Sequence, residues 1–185
     1  MTSSGPPLCV FWTPYVEVEQ VPVAFPDGRK GTYARINRGK HGGVCIPRHV
    51  FRGIARYALV RQYRYVIDRI TLEFPGGFTT EAGCADAVRE MTEETGINSH
   101  GRPTSLGVLH ADTGLLASEN DIWLVPVLDL KHVEAGTGAE TVWLTDGELD
   151  ERVIHGEITS GITLGALAKL RASSFAIAPG TMLSS

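Results

Sequence analysis

Cysteine is scarce in this 185-residue sequence, and its three copies, Cys9, Cys45 and Cys84, stand far apart. An odd number with no CxxC pair builds no disulfide framework, and it points to a reducing, cytoplasmic setting. Long apolar runs are missing too: no window nears the roughly 18 residues that a membrane span needs. The opening MTSSGPPLCVFW has neither the basic start nor the apolar core of a secretory signal. Positive charge is not in excess. A net charge of −4 and a pI near 5.9 give no general attraction to nucleic acid or anionic lipid. The six histidines are scattered without HxxH or HExxH spacing, which argues against a zinc centre. Internal repeats and low-complexity blocks are absent as well. What remains is ordinary for a globular chain, 43% hydrophobic and 21% charged, and long enough to bury one main core.

Read in order, residues 1–14 are rich in Pro, Ser and Gly and are expected to be loose. Tyr15 to Val23 alternates apolar and acidic residues as a strand does, Pro26-Asp27-Gly28 signals a turn, and Gly31 to Ile36 returns. Arg38 to Gly43 (RGKHGG) marks a loop and a candidate boundary. Strands are expected at Ile54 to Gln62, Thr71 to Phe74, Ile122 to Leu130 and Thr141 to Leu144. Pro126 hints at a bulge or an edge position. A helix is expected from about Gly83 to Thr95, with Gly96 as its stop. Thr145 and Glu148 have capping-box spacing for a helix to Ile154, and Ile162 to Leu170 supports a last one. The pattern is mixed α/β around one core.

The helix of residues 83–95 carries the chemistry. At about 100° per residue, Asp86, Glu90, Glu93 and Glu94 fall on one face, and Cys84, Val88, Met91 and Thr95 on a separate, mostly apolar one. Like charges one turn apart cost roughly 0.2–0.5 kcal/mol per pair. A solvated face normally intersperses Lys or Arg, and Arg89 is the lone cation here. Cations from outside the chain would relieve the repulsion, and oxygen ligands at this density suit a hard ion, Mg²⁺ or Mn²⁺. The preceding Gly76-Gly77 adds a segment whose backbone can approach a metal or phosphate closely.

Arg89-Glu90-Met91-Thr92-Glu93-Glu94-Thr95-Gly96-Ile97 resembles the second half of the Nudix box, R-E-U-x-E-E-x-G-U with U apolar. Glu81 sits where that box places its first glutamate, with seven residues between it and Arg89. The first half departs: Pro75 stands where the box has glycine. Either the loop is shorter with Glu81 in its usual role, or Cys84 takes the glutamate's place; the preserved spacing favours the first. Leu59 to Arg64 (LVRQYR), Leu72 to Pro75 (LEFP), Thr113 to Asp121 with Glu119, and Gly156 to Leu167 resemble segments of the ADP-ribose pyrophosphatase branch.

That resemblance implies a mixed β-sheet sandwiched between helices, α/β in class, over residues 41–172. It also implies an N-terminal β arm, residues 1–40, that helps form a homodimer, and a flexible tail at 173–185. It implies Glu90 and Glu94 as metal ligands, Glu93 as a third ligand or local base, and a carbonyl of Gly76 or Gly77 completing the shell. Arg89 orients the glutamates, with Glu81 as its structural partner. Glu140 and Glu134 are candidate general bases. Arg64 is placed to grip a phosphate, and Glu73 and Glu119 to meet polar groups of the substrate. The implied reaction is metal-dependent hydrolysis of a nucleoside diphosphate linked to another moiety, ADP-ribose or a nucleotide sugar. A triphosphate or dinucleoside-polyphosphate hydrolase, or a binding-only module of the same fold, is the rival reading. Six arginines between Arg48 and Arg69, interleaved with Phe51, Tyr57, Tyr63 and Tyr65, carry no RNA-binding signature. A groove for an anionic nucleotide accounts for them, and no nucleic-acid or membrane partner is expected.

Overall fold

The computed structural model describes residues 1–79, 83–130 and 139–177. In chain order its strands are β1 (Thr2–Ser3), β2 (Leu8–Trp12), β3 (Glu17–Ala24), β4 (Lys30–Ile36), β5 (His41–Phe51), β6 (Ile54–Arg64), β7 (Arg69–Glu73) and β8 (Gly76–Thr79). Helix α1 (Cys84–Thr95) follows, then β9 (Thr104–Leu109), β10 (Glu119–Pro126), β11 (Glu140–Leu144), α2 (Asp146–Ile154) and α3 (Gly161–Ile177).

Two sheets divide the strands. In the smaller one β3 is central: β4 covers one edge from Val18↔Ile36 to Ala24↔Lys30, and β1 and β2 share the other. The first fourteen residues are therefore not loose. LCVFW is a β-prone run despite the prolines before it, and it pairs with β3 while Leu8, Phe11 and Trp12 stay more than half exposed. The arm meets the rest of the chain through Ile36, whose amide and carbonyl bond Leu115 and Ala117 (3.0 and 2.8 Å).

The larger sheet runs β11-β6-β5-β10-β9, with β10 parallel to β5 and every other pair antiparallel. Alternation sorts its side chains. Val44, Ile46, Tyr57, Leu59 and Ile122 pack with α2 and α3, while Cys45, Ala58 and Val125 pack with Ala87 and Met91 of α1. The result is a sheet between helices, an α+β architecture. Strand β5 escaped the sequence reading because its start, His41 to Gly43, read as part of a loop. The glycines serve packing instead, since a Cβ at Gly43 would lie 2.6 Å from the Ala87 Cβ. Pro126 ends an interior strand rather than marking an edge, with Arg48 opposite it. Helix α2 has the expected capping box at Thr145 and Glu148, and α3 runs on to Ile177, beyond the Leu170 expected from sequence.

One irregularity positions the site. Strands β5 and β6 pair only near their hairpin, from Arg48↔Tyr57 to Phe51↔Ile54, and then part. The parting edges are taken up separately: β7 pairs β6, and β8 pairs β5 from His41↔Thr79 to Val44↔Gly76. The chain crosses this split at Phe74-Pro75, where the Pro75 carbonyl accepts from the Cys45 amide (2.9 Å). Gly76-Gly77 is thus a short strand and not a free loop. Only glycine fits there, because a Cβ on Gly76 would collide with the Gly43 carbonyl oxygen.

Candidate active site

Helix α1 starts at Gly83 without a side-chain cap and stops at Gly96, whose φ of 72° suits glycine and whose amide bonds the Thr92 carbonyl. Its buried stripe is Ala87, Met91 and Thr95, one turn apart, with Cys84 and Val88 only half-buried beside it. Because glycines and alanines line the contact, the helix lies close on β5 and β8. Glu90 and Glu94 border the buried stripe and are pressed against the backbone of β8. The Gly76 amide donates to Glu94 Oε2 (3.1 Å), and a Cβ on Gly77 would lie 3.1 Å from Glu90 Oε2. Each glycine of the pair faces one glutamate.

The electrostatics of the two sides differ. Burial pushes the Glu94 carboxyl above its usual range; the Gly76 amide offsets part of this, and the charge on Glu90 adds to it. Arg89 points the other way along the helix, donating to Glu93 Oε1 (2.8 Å) and Glu90 Oε1 (2.7 Å) and lying 3.9 Å from Asp86. Glu93 is the most exposed of the three glutamates and sits on that outer side.

Across the split, the register sets Val60 opposite Glu73, Gln62 opposite Thr71 and Arg64 opposite Arg69, so Arg64, Thr71 and Glu73 share a face. Arg64 grips Glu73 with two bonds, Nε to Oε1 (2.9 Å) and Nη2 to Oε2 (2.7 Å), and Thr71 donates a third (2.6 Å). Burial acts to raise the Glu73 carboxyl, yet these bonds outweigh it and leave the group below its ordinary value.

The structure brings Arg64, Glu73, Gly76, Gly77, Glu90 and Glu94 to one split in the sheet, and a cavity of about 310 Å³ opens there between Arg64, Glu73 and the two glycines. It places the other candidates elsewhere. Glu140 pairs Arg61, one residue out of phase with the face of Arg64 and Glu73, and its Oε2 lies 3.3 Å from Arg61 Nε. That contact is an ion pair by distance whose angle makes no hydrogen bond. Glu119 opens β10 beside His41, exposed. Glu81 and Glu134 lie outside the described residues. Lining residues not singled out in the sequence include Asn120, Thr163 and Phe78. Asn120 is one step along from Glu119, and the period-two alternation of β10 turns it toward Gly42 and the cavity. Thr163 is buried, and its hydroxyl accepts from the Phe74 amide (3.2 Å), so it braces the crossing.

Among the described residues no three carboxylate, imidazole or thiol groups already converge at ligand spacing, while Arg89 holds Glu93 and one oxygen of Glu90. The donors facing β8 are nevertheless all oxygens: Glu94, the second oxygen of Glu90 and the strand's own carbonyls. With Glu94 held up by burial and by a like charge, this set fits a hard divalent cation. No helix among the described residues is long and apolar enough to cross a membrane.

No protein-family profile matches the sequence, and no curated protein resembles it significantly. The fold does find solved counterparts. The crystal structure of an ADP compounds hydrolase superposes with a TM-score of 0.74 at 16% identity, covering 95% of this chain and 98% of that one. At that identity the likeness speaks for architecture alone: the two chains share one mixed α+β fold.

Proposed function

We propose that this protein is a divalent-metal-dependent pyrophosphohydrolase that cleaves a nucleoside diphosphate joined to another moiety, ADP-ribose or a nucleotide sugar. The products are a nucleoside monophosphate and a phosphorylated moiety. One observation carries the reading: Glu90 and Glu94 are held against Gly76 and Gly77, and the cavity there opens toward Arg64 and Glu73. The ADP compounds hydrolase with the same fold supports it.

In this reading Glu90, Glu94 and a carbonyl of Gly76 or Gly77 hold Mg²⁺ or Mn²⁺. The bound ion supplies charge neutralisation on the diphosphate and a lowered pKa for water. Arg64 offers the diphosphate its remaining N–H donors, since only two are taken by Glu73. Glu73 and Thr71 fix the plane of that guanidinium, so phosphate binding costs little reorganisation. Arg89 positions Glu90 and Glu93, and Glu93 is the third ligand or the local base. Product identification across ADP-ribose, nucleotide sugars, dinucleotides and triphosphates, with Mg²⁺, Mn²⁺ or EDTA, tests the proposal. Release of a nucleoside monophosphate only with metal is expected. Turnover of triphosphates alone would change the substrate class, and full turnover in EDTA would end the metal reading.

The same reading extends to a homodimer. Leu8, Phe11, Trp12 and Tyr15 on the arm are each more than half exposed, apolar surface that a second copy would cover at least in part. Light scattering at micromolar concentration is expected to give twice the 20.0 kDa chain mass; a monomer there refutes it.

A further inference from the structure

A second, larger cavity of about 820 Å³ is also walled by Arg64 and Glu73, but not by Gly76 or Gly77. The two spaces have Arg64, Glu73 and Ile162 in common as walls, so a ligand held at the guanidinium reaches both. Apart from that ion pair, no charged side chain among the described residues lines the larger space. Its rim is the turn between β6 and β7: Tyr63 with Tyr65, Val66 and Ile67. Tyr65 is 86% exposed and Val66 94%, so little among the described residues packs on them. The turn is nevertheless well defined. Residues 65–67 form one 3-10 turn, Asp68 closes it in the left-handed region (φ 48°), and the Tyr63 hydroxyl donates to Asp68 (2.6 Å). Opposite stand Thr159 and Ser160, two hydroxyl side chains just before α3.

An uncharged space with an unpacked aromatic on its rim, reached past a phosphate-gripping guanidinium, suits a flat neutral ring more than a second anion. We infer that this cavity takes the base of the nucleoside half of the substrate, with Tyr65 as its stacking platform and Tyr63 and Asp68 holding the turn in place. The inference rests on the proposed function for the placement of phosphate at Arg64. It assigns the direction of the substrate: base toward the β6–β7 turn, scissile diphosphate at Arg64 and the glycines, leaving moiety beyond them.

The test is binding without hydrolysis. The affinity of AMP, and of ribose 5-phosphate as a probe lacking the base, is measured in EDTA for the wild-type chain, Tyr65→Ala and Tyr65→Phe. Stacking of a base on an aromatic side chain is strong enough that its loss weakens binding about tenfold or more. The expected result is that weakening for AMP in Tyr65→Ala, ribose 5-phosphate unchanged within about twofold, and Tyr65→Phe close to wild type. The exposure of Tyr65 makes misfolding a poor explanation, and an unchanged Tm checks it. AMP binding that is insensitive to Tyr65→Ala, equal weakening of both probes, or no AMP binding to the wild type would overturn the assignment. Failure of the hydrolase reading is separable, because it appears as absent metal-dependent turnover while AMP still binds through Tyr65.

Discussion

Glu73 and Glu94 stand on opposite sides of one split in the sheet, both half-buried, and their carboxyls are shifted in opposite directions. Glu73 has its counter-charge in the protein: Arg64 in two bonds and Thr71 in a third. Glu94 has one backbone amide and no side-chain bond; the like charges of Glu90 and Glu73 act against it, and the charge of Arg64, already bonded to Glu73, only partly offsets them. Burial penalises both charges, so the partners decide the outcome. The first arrangement is complete as folded, as a structural or positioning pair is. The second is incomplete, and a chain gains nothing in stability from leaving a half-buried carboxylate beside another. Such a group makes sense when its counter-charge comes from solution, as a cation or as a cation with its substrate.

The sharpest way to break this comparison is to neutralise the incomplete side. Glu94→Gln keeps the size and the acceptor for the Gly76 amide while removing the charge. If Glu94 is a metal ligand, the rate in Mg²⁺ falls at least about a hundredfold, roughly 3 kcal/mol of barrier. The metal-free Tm stays level or rises, because a buried charge and its repulsion with Glu90 are gone. A merely solvated carboxylate leaves the rate untouched. A carboxylate paired to a cation inside the chain loses stability instead, and rate only as folded protein is lost. Turnover and Tm on one preparation, with and without Mg²⁺, distinguish these outcomes.

Neutralising the complete side has the opposite signature and a smaller size. Glu73→Gln removes the charge that fixes Arg64. A charge-assisted pair is worth about 1.5–3 kcal/mol when well buried, and the Arg64 side chain is 45% exposed, so about 1 kcal/mol of stability is expected to go. The freed guanidinium raises KM about tenfold with a lesser effect on kcat. A loss confined to kcat, with KM and Tm unchanged, would mean that Glu73 acts on the reacting atoms rather than through Arg64.

How much of this was legible beforehand follows from what each residue answers to. The acid face of α1 and its Gly96 stop were readable because helical period and capping are local properties. So was the box of Thr145 and Glu148. Strand β5 was not, because Gly42 and Gly43 are set by Asn120 and Ala87, residues distant in sequence that leave no room for a Cβ. The Gly76-Gly77 strand is a similar case: its glycines read as a turn, but their absent side chains admit Gly43 from one side and Glu90 from the other. Arg64 and Glu73 were each noticed, yet their pairing depends on the β6–β7 register. Asn120 was missed beside Glu119 because a one-residue step decides which side chain faces the cavity. Helical period and capping were readable; the strand pairings and close approaches that build the split in the sheet were not.

The smallest expected effect is a slope, and it tests the comparison most directly. Glu73 titrates below the ordinary carboxylate value in the folded chain. Its contribution is present above the unfolded value, about 4.3, and is lost as pH falls through the lowered folded value. The stability difference between wild type and Glu73→Gln should therefore shrink only on the acid side of about pH 4.3. Glu94 titrates above the ordinary value in the metal-free chain. There the folded state binds the proton more tightly than the unfolded one, so protonation stabilises. The advantage of Glu94→Gln over wild type should grow as pH rises from about 4.3 through the raised folded value, and then level off. Denaturant unfolding of the three proteins in EDTA, at several pH values on either side, measures both windows. Saturating Mg²⁺ should erase the Glu94 window, since the ion supplies the missing counter-charge, and leave the Glu73 window where it was. Two windows on the same side of the unfolded value would mean that the two carboxylates are solved alike, and the case for a cation at Glu94 would lose its physical basis.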